Sequence, residues 1–459
     1  MATNEELGRM PGVRVKEILN ADLGISSPQF RIAGLVSTSY TSLLKRDIAV
    51  IRGAEDTDTI PGFESAEVTS VECISTYQEA YGTRRPALVK TTDYTVEGNV
   101  ITFTEAGKLK VLEGDKYYVT ATIDKVSEGW FEPKEMTDFS QVLREYGPEY
   151  STEKGINHMV ALSRILFNAG ARRIVCVQSK SASKTDYESA LDKLKEVELQ
   201  YVLCNSTTQD VQNALLNHVV DMSTVENSMN RVGFTAPKTE DAEINEILLD
   251  ATSFKTQNIV LVAPGKVLIN VEDEQGSAYA TWVNGIYGAA AIVGMLCNPN
   301  RRLATPLTRK NLTQYGIIDT GKHYKKQEIE KMAAAGVTVL IQRKSTNNIV
   351  VNQGLTTDNS NYGNYYLNVV CCKYEVARLL KEDLDDTFIG TEILTDTVTL
   401  VQSFIRSTLD GFRGIYINTF KDLSVARDAD IPTKLNVSFK IAPIFGLDYI
   451  DISFSVYVD

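Results

Sequence analysis

The chain has 459 residues, 43% of them hydrophobic and 23% charged, and it carries a formal net charge of -12 at pH 7. A single hydrophobic core rarely holds so many residues, so the length predicts about three domains of roughly 150 residues each. The acidic balance gives no overall attraction to nucleic acid or to an anionic membrane. The chain start does not resemble a secretory signal, and the most apolar stretch, residues 286–297, is too short to span a bilayer. We therefore expect a protein that folds in a cytoplasm.

The first 130 residues are predicted to form an arm followed by a β-rich domain. Residues 1–35 contain a turn-forming Pro-Gly pair, an alternating apolar run and then polar sequence, which predicts an N-terminal arm at the start of a core domain. Residues 36–130 hold short strand patterns separated by turn signals, at 67–74, 93–96, 100–103, 108–112 and 115–123. This spacing is typical of a small β-sandwich or barrel.

Residues 131–345 follow a different pattern, in which strands alternate with amphipathic helices. The strand patterns are at 173–177, 200–204, 231–235 and 258–262. The alternation predicts a largely parallel, doubly wound sheet of about four strands covered by helices. A helix rich in small residues is predicted at 278–296, and a helix at 327–335 leads to further strands at 337–341 and 349–351.

The last segment, residues 346–459, is predicted to hold two long helices, at 367–384 and 396–409, and then a terminal hairpin. The hairpin strands would be residues 435–441 and 450–456, because apolar residues alternate in both runs. A lone two-stranded hairpin is marginally stable in water and has two open edges. Its edges therefore predict pairing with strands from the other chain end or from another molecule.

The sequence contains no recognisable catalytic, cofactor or metal motif. The loop at 178–185, after the first clear strand of the parallel sheet, lacks the glycines with which backbone amides wrap a phosphate. The histidines, His158, His218 and His323, have no ligand spacing, and the acidic run at 382–386 does not match a calcium loop. The six cysteines, at 73, 176, 204, 297, 371 and 372, lie mostly in apolar runs and are interpreted as buried reduced thiols. We therefore predict neither enzymatic activity nor a cofactor or metal.

Several stretches, in order along nearly the whole chain, resemble those of contractile tail sheath proteins of myophages and related injection machines. The start, Met10-Pro-Gly-Val-Arg-Val-Lys-Glu, is similar to the family's Pro-Gly-Val-aromatic-Val-Glu-Glu, although Arg14 stands where an aromatic residue is usual. Further matches are the end of the β-rich region at 114–119, the stretch at 138–148, the small-residue helix, the run at 333–340 and the terminal hairpin. Each motif alone is weak, and their shared order makes the resemblance specific.

The resemblance implies a structural subunit that stacks as six-membered rings around an inner tube and contracts when a baseplate triggers it. It implies arms that complete a β-sheet between subunits, so the fold expected is a mixed, multidomain α+β and α/β chain with extended terminal arms. The partners it implies are further copies of the chain, an inner tail tube protein, and baseplate and tail terminator proteins. The location it implies is a virion tail or a phage-tail-like particle, assembled in the cytoplasm of a bacterial host.

Carried onto this sequence, the resemblance assigns the arm strands and a tube-facing helix. The arm-strand residues would be Val13, Val15, Ile18, Val437, Phe439, Ile441, Ile452, Phe454 and Val456. The tube-facing helix would be the pattern at 396–409, with Asp396, Gln402 and Arg406 as candidate contacts.

Two other functions stay open at this point. A doubly wound sheet is also compatible with a nucleotide-dependent enzyme, which nucleotides would stabilise thermally. The second alternative is a monomeric, adhesin-like binding module carried by the β-rich region. Such a protein would remain monomeric as its concentration rises.

Overall fold

The structure is a computed structural model that describes residues 31–62, 66–73, 87–124, 131–224, 227–273, 275–394, 396–431, 433–448 and 450–455. Its strands are β1 (Ala33–Ser37), β2 (Ser42–Ile51), β3 (Thr57–Thr59), β4 (Ala66–Cys73), β5 (Tyr94–Glu97), β6 (Val100–Phe103), β7 (Lys116–Asp124), β8 (Lys134–Met136), β9 (Tyr150–Ser151), β10 (Gly155–Ile156), β11 (Ile174–Gln178), β12 (Tyr201–Cys204), β13 (Val232–Thr235), β14 (Ile259–Ala263), β15 (Lys266–Glu272), β16 (Ala278–Asn284), β17 (Ile317–Thr320), β18 (Val337–Gln342), β19 (Ile349–Val351), β20 (Ile417–Arg427) and β21 (Leu435–Pro443). Its α-helices are α1 (Glu105–Lys108), α2 (Phe139–Tyr146), α3 (His158–Asn168), α4 (Lys184–Lys193), α5 (Gln209–Met222), α6 (Ile244–Phe254), α7 (Ile286–Cys297), α8 (Lys326–Ala334), α9 (Tyr362–Tyr365), α10 (Leu367–Phe388) and α11 (Thr397–Phe412).

A sheet of eight strands forms the centre of the body, in the order β19, β18, β14, β13, β12, β1, β11, β8. The six inner strands are parallel, and β19 and β8 add antiparallel strands at the two edges. The strand β1 pairs on both sides, with Leu35 opposite Cys176 of β11 and Leu203 of β12. The sheet is thus larger than the four strands expected, and the boundary predicted between residues 35 and 36 falls inside β1.

Helices cover both faces of this sheet, and side chains alternate between two apolar cores. On one face the sheet residues pack with α3, α7 and the start of α10, and on the other with α4, α5, α6 and α8. In β1, for example, Leu35 joins the first core and Val36 the second. Burial on both faces explains why the inner strands are continuous apolar runs and do not alternate with polar residues.

The helix predicted at 278–296 is wrong over its first turns. Ala278–Asn284 is strand β16, paired along its whole length with β15, and α7 begins only at Ile286. The run Tyr-Ala-Thr-Trp-Val favours a strand because β-branched and aromatic side chains fit the pleated surface. All residues of α7 are buried, and a Cβ on Gly294 would lie 2.6 Å from the carbonyl oxygen of Leu166 in α3. The small residues therefore permit close packing between two helices.

The β-rich region between β1 and β8 folds as two antiparallel three-stranded sheets over one core. Their strand orders are β2, β7, β4 and β3, β6, β5. The strand predicted at 108–112 is wrong: α1 ends at Lys108, and the next residues form turns in which Val111 N–H donates to the Gly107 carbonyl at 2.9 Å. Only Val111 of these residues reaches the core, whereas Leu109 and Leu112 are exposed.

The C-terminal part consists of the second half of α10, helix α11 and an antiparallel pair, β20 and β21, around a small core of their own. The predicted terminal hairpin is wrong. The strand at 435–443 pairs with β20, which precedes it, and residues 450–455 belong to no strand. Bulges at Ile417/Thr419 and Lys421/Ser424 make the apolar residues of β20 recur at irregular intervals, which hides the strand from a period-two search.

Candidate assembly interface

The carboxyl edge of the parallel sheet, where α/β proteins bind nucleotides, carries a cluster of side chains that bond to one another. Thr38, after β1, donates its backbone N–H to Asn205 Oδ1 at 3.2 Å and accepts from Asn205 Nδ2 at 3.0 Å. The Tyr187 hydroxyl also donates to Asn205 Oδ1. Thr38, Asn205 and Tyr187 thus bond to one another at this edge.

The loop that leads into α4 is equally unsuited to a phosphate. Ser183 caps the helix by accepting from the Asp186 N–H at 3.2 Å, and Ser181 and Ser183 both donate to the Asp186 carboxylate. Bonds from Ser181 and then Ser183 lower the pKa of Asp186, so a negative charge occupies the helix N-terminus. A bound anion would be repelled.

The three histidines have separate structural surroundings. His158 Nδ1 lies 2.7 Å from the Tyr287 hydroxyl, and burial lowers its pKa. His218 is buried, and Arg231 Nη1 donates to its Nε2 at 2.8 Å. His323 is exposed on the surface, 4.0 Å from Asp319.

Five of the cysteines are free and buried, as predicted; the side chain of Cys73 lies outside what the structure describes. Burial raises the pKa of Cys176 and Cys297 to about 12 and that of Cys371 to about 11. These thiols stay protonated at neutral pH and are poor nucleophiles.

A cavity of about 190 Å³ lies between α10 and the loops before β12 and β13, and three of its charged groups pair with one another. Arg378 contacts Glu375 at 2.9 Å and Glu382, in the acidic run of α10, at 2.6 Å. Over the described ranges, no group of three or more histidine, cysteine or carboxylate side chains is placed to hold a metal ion. In the same residues, no helix has the length and apolar character to cross a bilayer.

The sheet formed by β20 and β21 has features of a docking edge. It contains these two strands alone within the described part of the chain, so each presents an outer row of backbone groups. The bulges lie on β20, where Asp422 has a positive φ of 56°, whereas β21 is regular from Asn436 to Ser438 and from Lys440 to Ala442. Phe439 and Ile441 pack on the C-terminal core, and Val437 is more exposed. The edge of β21 is thus the more regular template for another strand.

A carboxylate orders the loop between these strands. Asp428 accepts from Lys434 Nζ and Asn436 Nδ2, both at 2.9 Å, and from the backbone N–H groups of Asp430 and Ile431. The bond from Lys434 is the main cause of a strongly lowered Asp428 pKa. The charged form of Asp428 therefore holds the turn.

Beyond β21 the described part of the chain includes an exposed apolar segment. Ile450, Ile452 and Phe454 are 72%, 82% and 85% exposed, and they alternate with Asp451, Ser453 and Ser455. We call residues 450–455 the tail. Large apolar side chains in this pattern mark a strand that lacks a partner surface.

The candidate tube-facing residues do not share one environment. Asp396 is exposed at the N-cap of α11, and Arg406 is exposed on its outer side. Gln402 is half-buried because its Nε2 donates to the Leu423 carbonyl of β20 at 3.2 Å. The helix buries Val401, Ile405 and Leu409 and presents its opposite side to solvent.

No protein-family model and no curated protein matches the sequence. Solved structures do match its fold. A chain from the anti-feeding prophage baseplate is 12% identical, with a TM-score of 0.56 over 72% of this chain and 89% of that one. The contracted helical sheath of the same particle is 12% identical, with a TM-score of 0.54 over 71% of this chain and 88% of that one. The sheath tail protein from Desulfitobacterium hafniense is 10% identical with a TM-score of 0.50, over 95% of this chain and all of that one.

The chain has the fold of contractile tail sheath proteins. The resemblance seen in the sequence is thereby confirmed at the level of fold. The sheath fold here is a mixed α/β architecture, and the solved structures that share it come from sheath and baseplate assemblies and from isolated sheath proteins.

Within this sheath fold, the predicted arm residues are found in three situations. Val437, Phe439 and Ile441 lie on β21, and Ile452 and Phe454 lie in the unpaired tail. Val13, Val15, Ile18 and Val456 lie outside the described residues. Sequence reasoning missed β20, which pairs with β21, because two register shifts interrupt its alternation.

Proposed function

We propose that the chain is a structural subunit of a contractile sheath. It polymerises as stacked hexameric rings around an inner tube, and contraction of the sleeve drives the tube through a target cell envelope. The fold supports this role. One observation carries this proposal: the same molecule has both an open two-stranded sheet and an exposed apolar tail.

In this proposal the tail of one subunit adds a strand to the β20–β21 sheet of another. An incoming strand satisfies the backbone groups along the β21 edge, and Ile450, Ile452 and Phe454 gain an apolar surface. The N-terminal strand, with Val13, Val15 and Ile18, adds a further strand in the same way. Main-chain ladders of this kind can persist while the bodies that they join rotate.

The exposed side of α11 is the proposed contact with the inner tube. Asp396 and Arg406 are available there, whereas Gln402 holds the helix on β20. Baseplate and tail terminator proteins would bind the two ends of the sleeve. The subunit acts in a phage tail or phage-tail-like particle assembled in the bacterial cytoplasm, without catalysis, a cofactor, nucleic acid or membrane contact.

The test is a chain that ends at Asp448, compared with the full chain. The truncated protein keeps β20, β21 and the body, so we expect an unchanged melting temperature, and we expect no sleeves in negative-stain electron microscopy. A triple substitution of Ile450, Ile452 and Phe454 by serine should have the same effect. The matched control is S453A/S455A on the alternate positions of the same segment, which should assemble. Normal sleeves from the truncated chain would rule out the proposed tail exchange.

A further inference from the structure

The tail leaves the subunit from a segment that is fastened to the body. We infer that residues 444–448 form a clamp that fixes the position from which the tail departs, and that Asp448 is its positioning residue. This inference rests on the proposed function, because it concerns how the tail reaches a neighbouring subunit.

The polar end of the clamp is the Asp448 carboxylate. Its Oδ1 accepts from the Thr308 hydroxyl at 2.8 Å, and its Oδ2 accepts from Gln353 Nε2 at 3.3 Å. Thr308 lies in the loop between α7 and β17, and Gln353 follows β19. One side chain thus bonds two separate segments of the body with both of its oxygens.

The other end of the clamp is apolar and directly follows β21. Ile444 packs on the main core, and its carbonyl oxygen accepts from the buried Asn368 Nδ2 at 3.4 Å. The Phe445 ring meets the ring of Tyr366 edge-on, with centroids 5.9 Å apart.

Between these two ends, the chain passes close to the body at a glycine. A Cβ on Gly446 would lie 2.6 Å from Cγ and 2.8 Å from Cβ of Pro306. A proline ring cannot move aside as a long side chain does, so residue 446 must lack a side chain for the segment to lie in this position.

Within the clamp, Phe445 and Leu447 are 51% and 76% exposed, so Ile444, Gly446 and Asp448 hold the segment on the body. Asp448 is partly buried, whereas Ile450 is already 72% exposed. If residues 444–448 were detached, the tail would swing from the end of β21 on a tether longer by these residues. The effective concentration of the tail at a neighbour falls as a flexible tether lengthens beyond the required span. Fixing residues 444–448 during folding also removes an ordering cost from assembly.

The experiment compares Asp448→Ala with Asp448→Asn in the full chain, and measures sleeve formation by sedimentation and the melting temperature of the unassembled protein. Losing a hydrogen-bonded carboxylate predicts a critical concentration about tenfold higher for Asp448→Ala. Its melting temperature should stay within about 2 °C, because the contact is local. Asp448→Asn keeps an acceptor for Thr308 and should restore assembly. Gly446→Ala should act like Asp448→Ala, because its added Cβ would meet the Pro306 ring.

Any result other than those expected contradicts the role proposed for the clamp. Assembly of Asp448→Ala at the wild-type concentration would overturn it and leave the proposed function standing. A large loss of melting temperature would assign Asp448 to folding and not to positioning, and failure of Asp448→Asn to restore assembly would exclude the acceptor role. If the unmodified full chain formed no sleeves at any concentration, the proposed function would fail, and the clamp with it.

Discussion

The central sheet and the β20–β21 sheet differ in how far their faces and edges are covered. The inner strands of the central sheet are covered by helices on both faces, and antiparallel strands close its two edges. The β20–β21 sheet packs one face on α10 and α11 and leaves its outer edges open within the described residues. Side chains in the first region therefore contribute mainly to folding. Exposed groups in the second region contribute little to the stability of a single subunit, which is what an assembly surface requires.

Removing a buried cation from the body should have the largest effect on the free energy of unfolding. Arg231 is fully buried and donates to the carbonyls of Leu194 at 2.9 Å and Val197 at 2.6 Å, beyond the end of α4. Arg231→Ala leaves these carbonyls unpaired and opens a cavity, so we expect a loss of about 4 kcal/mol. Chemical denaturation of the unassembled protein measures it.

The matched control is a cation of the β20–β21 sheet. Lys440 is exposed and pairs with Asp422 at 2.9 Å, so Lys440→Ala should cost no more than about 0.5 kcal/mol. Equal losses for the two variants would contradict the contrast between the regions.

A larger side chain between α3 and α7 tests how tightly the body is packed. Because a Cβ on Gly294 would meet the Leu166 carbonyl at 2.6 Å, Gly294→Val should destabilise the protein by about 3 kcal/mol. The control is Gly411→Ala in α11, where a Cβ has free space and higher helix propensity should stabilise by about 0.5 to 1 kcal/mol. Thermal and chemical unfolding of both variants measure the difference, and a neutral Gly294→Val would indicate a looser helix pair.

Acid should weaken the body through His218. Because a guanidinium has no acceptor, His218 must accept from Arg231 as a neutral ring. Burial, and then Arg231 and Lys195, lower the pKa of His218 to about 3, while nearby Asp192 acts in the opposite direction. The unfolded chain binds a proton near pH 6.5 and the folded one does not, so the free energy of unfolding falls as pH drops below 6.5.

The loss attributable to His218 should be about 2.3 kcal/mol between pH 6.5 and pH 4.5. Denaturation curves at several pH values should show a weaker pH dependence for His218→Gln, which can still accept from Arg231. Phe454→Ser, which removes no titratable group, should keep the wild-type dependence. An unchanged slope in His218→Gln would mean that other groups cause the acid sensitivity.

A change in the tail should have the smallest effect on folding. Phe454 is 85% exposed, so Phe454→Ser should alter the free energy of unfolding by no more than about 0.5 kcal/mol. The same substitution at Phe234, which is fully buried in β13, should cost several times more. A strong destabilisation by Phe454→Ser would show that the tail packs on its own subunit.

Local patterns predicted the strands and helices of the α/β body well, and they failed where a strand was irregular or isolated. The strands at 173–177, 200–204 and 258–262 were recognisable because apolar runs are bounded by helices and turns. The strand β1 was missed because five residues at the end of an arm-like stretch give no periodic signal. The pairing of β21 was wrong because two bulges disguise β20, while the tail has the clean alternation of a strand.

The sequence by itself determined the alternating order of strands and helices, the lack of catalytic motifs and the presence of edge-forming strands near the C-terminus. These are local properties, since periodicity and turn residues act over a few positions. Only the tertiary structure decided that β1 lies at the centre of the sheet, that β21 pairs with β20, and that Asp448 meets Thr308 and Gln353. These contacts join residues far apart in the chain, and the packing of whole elements selects them.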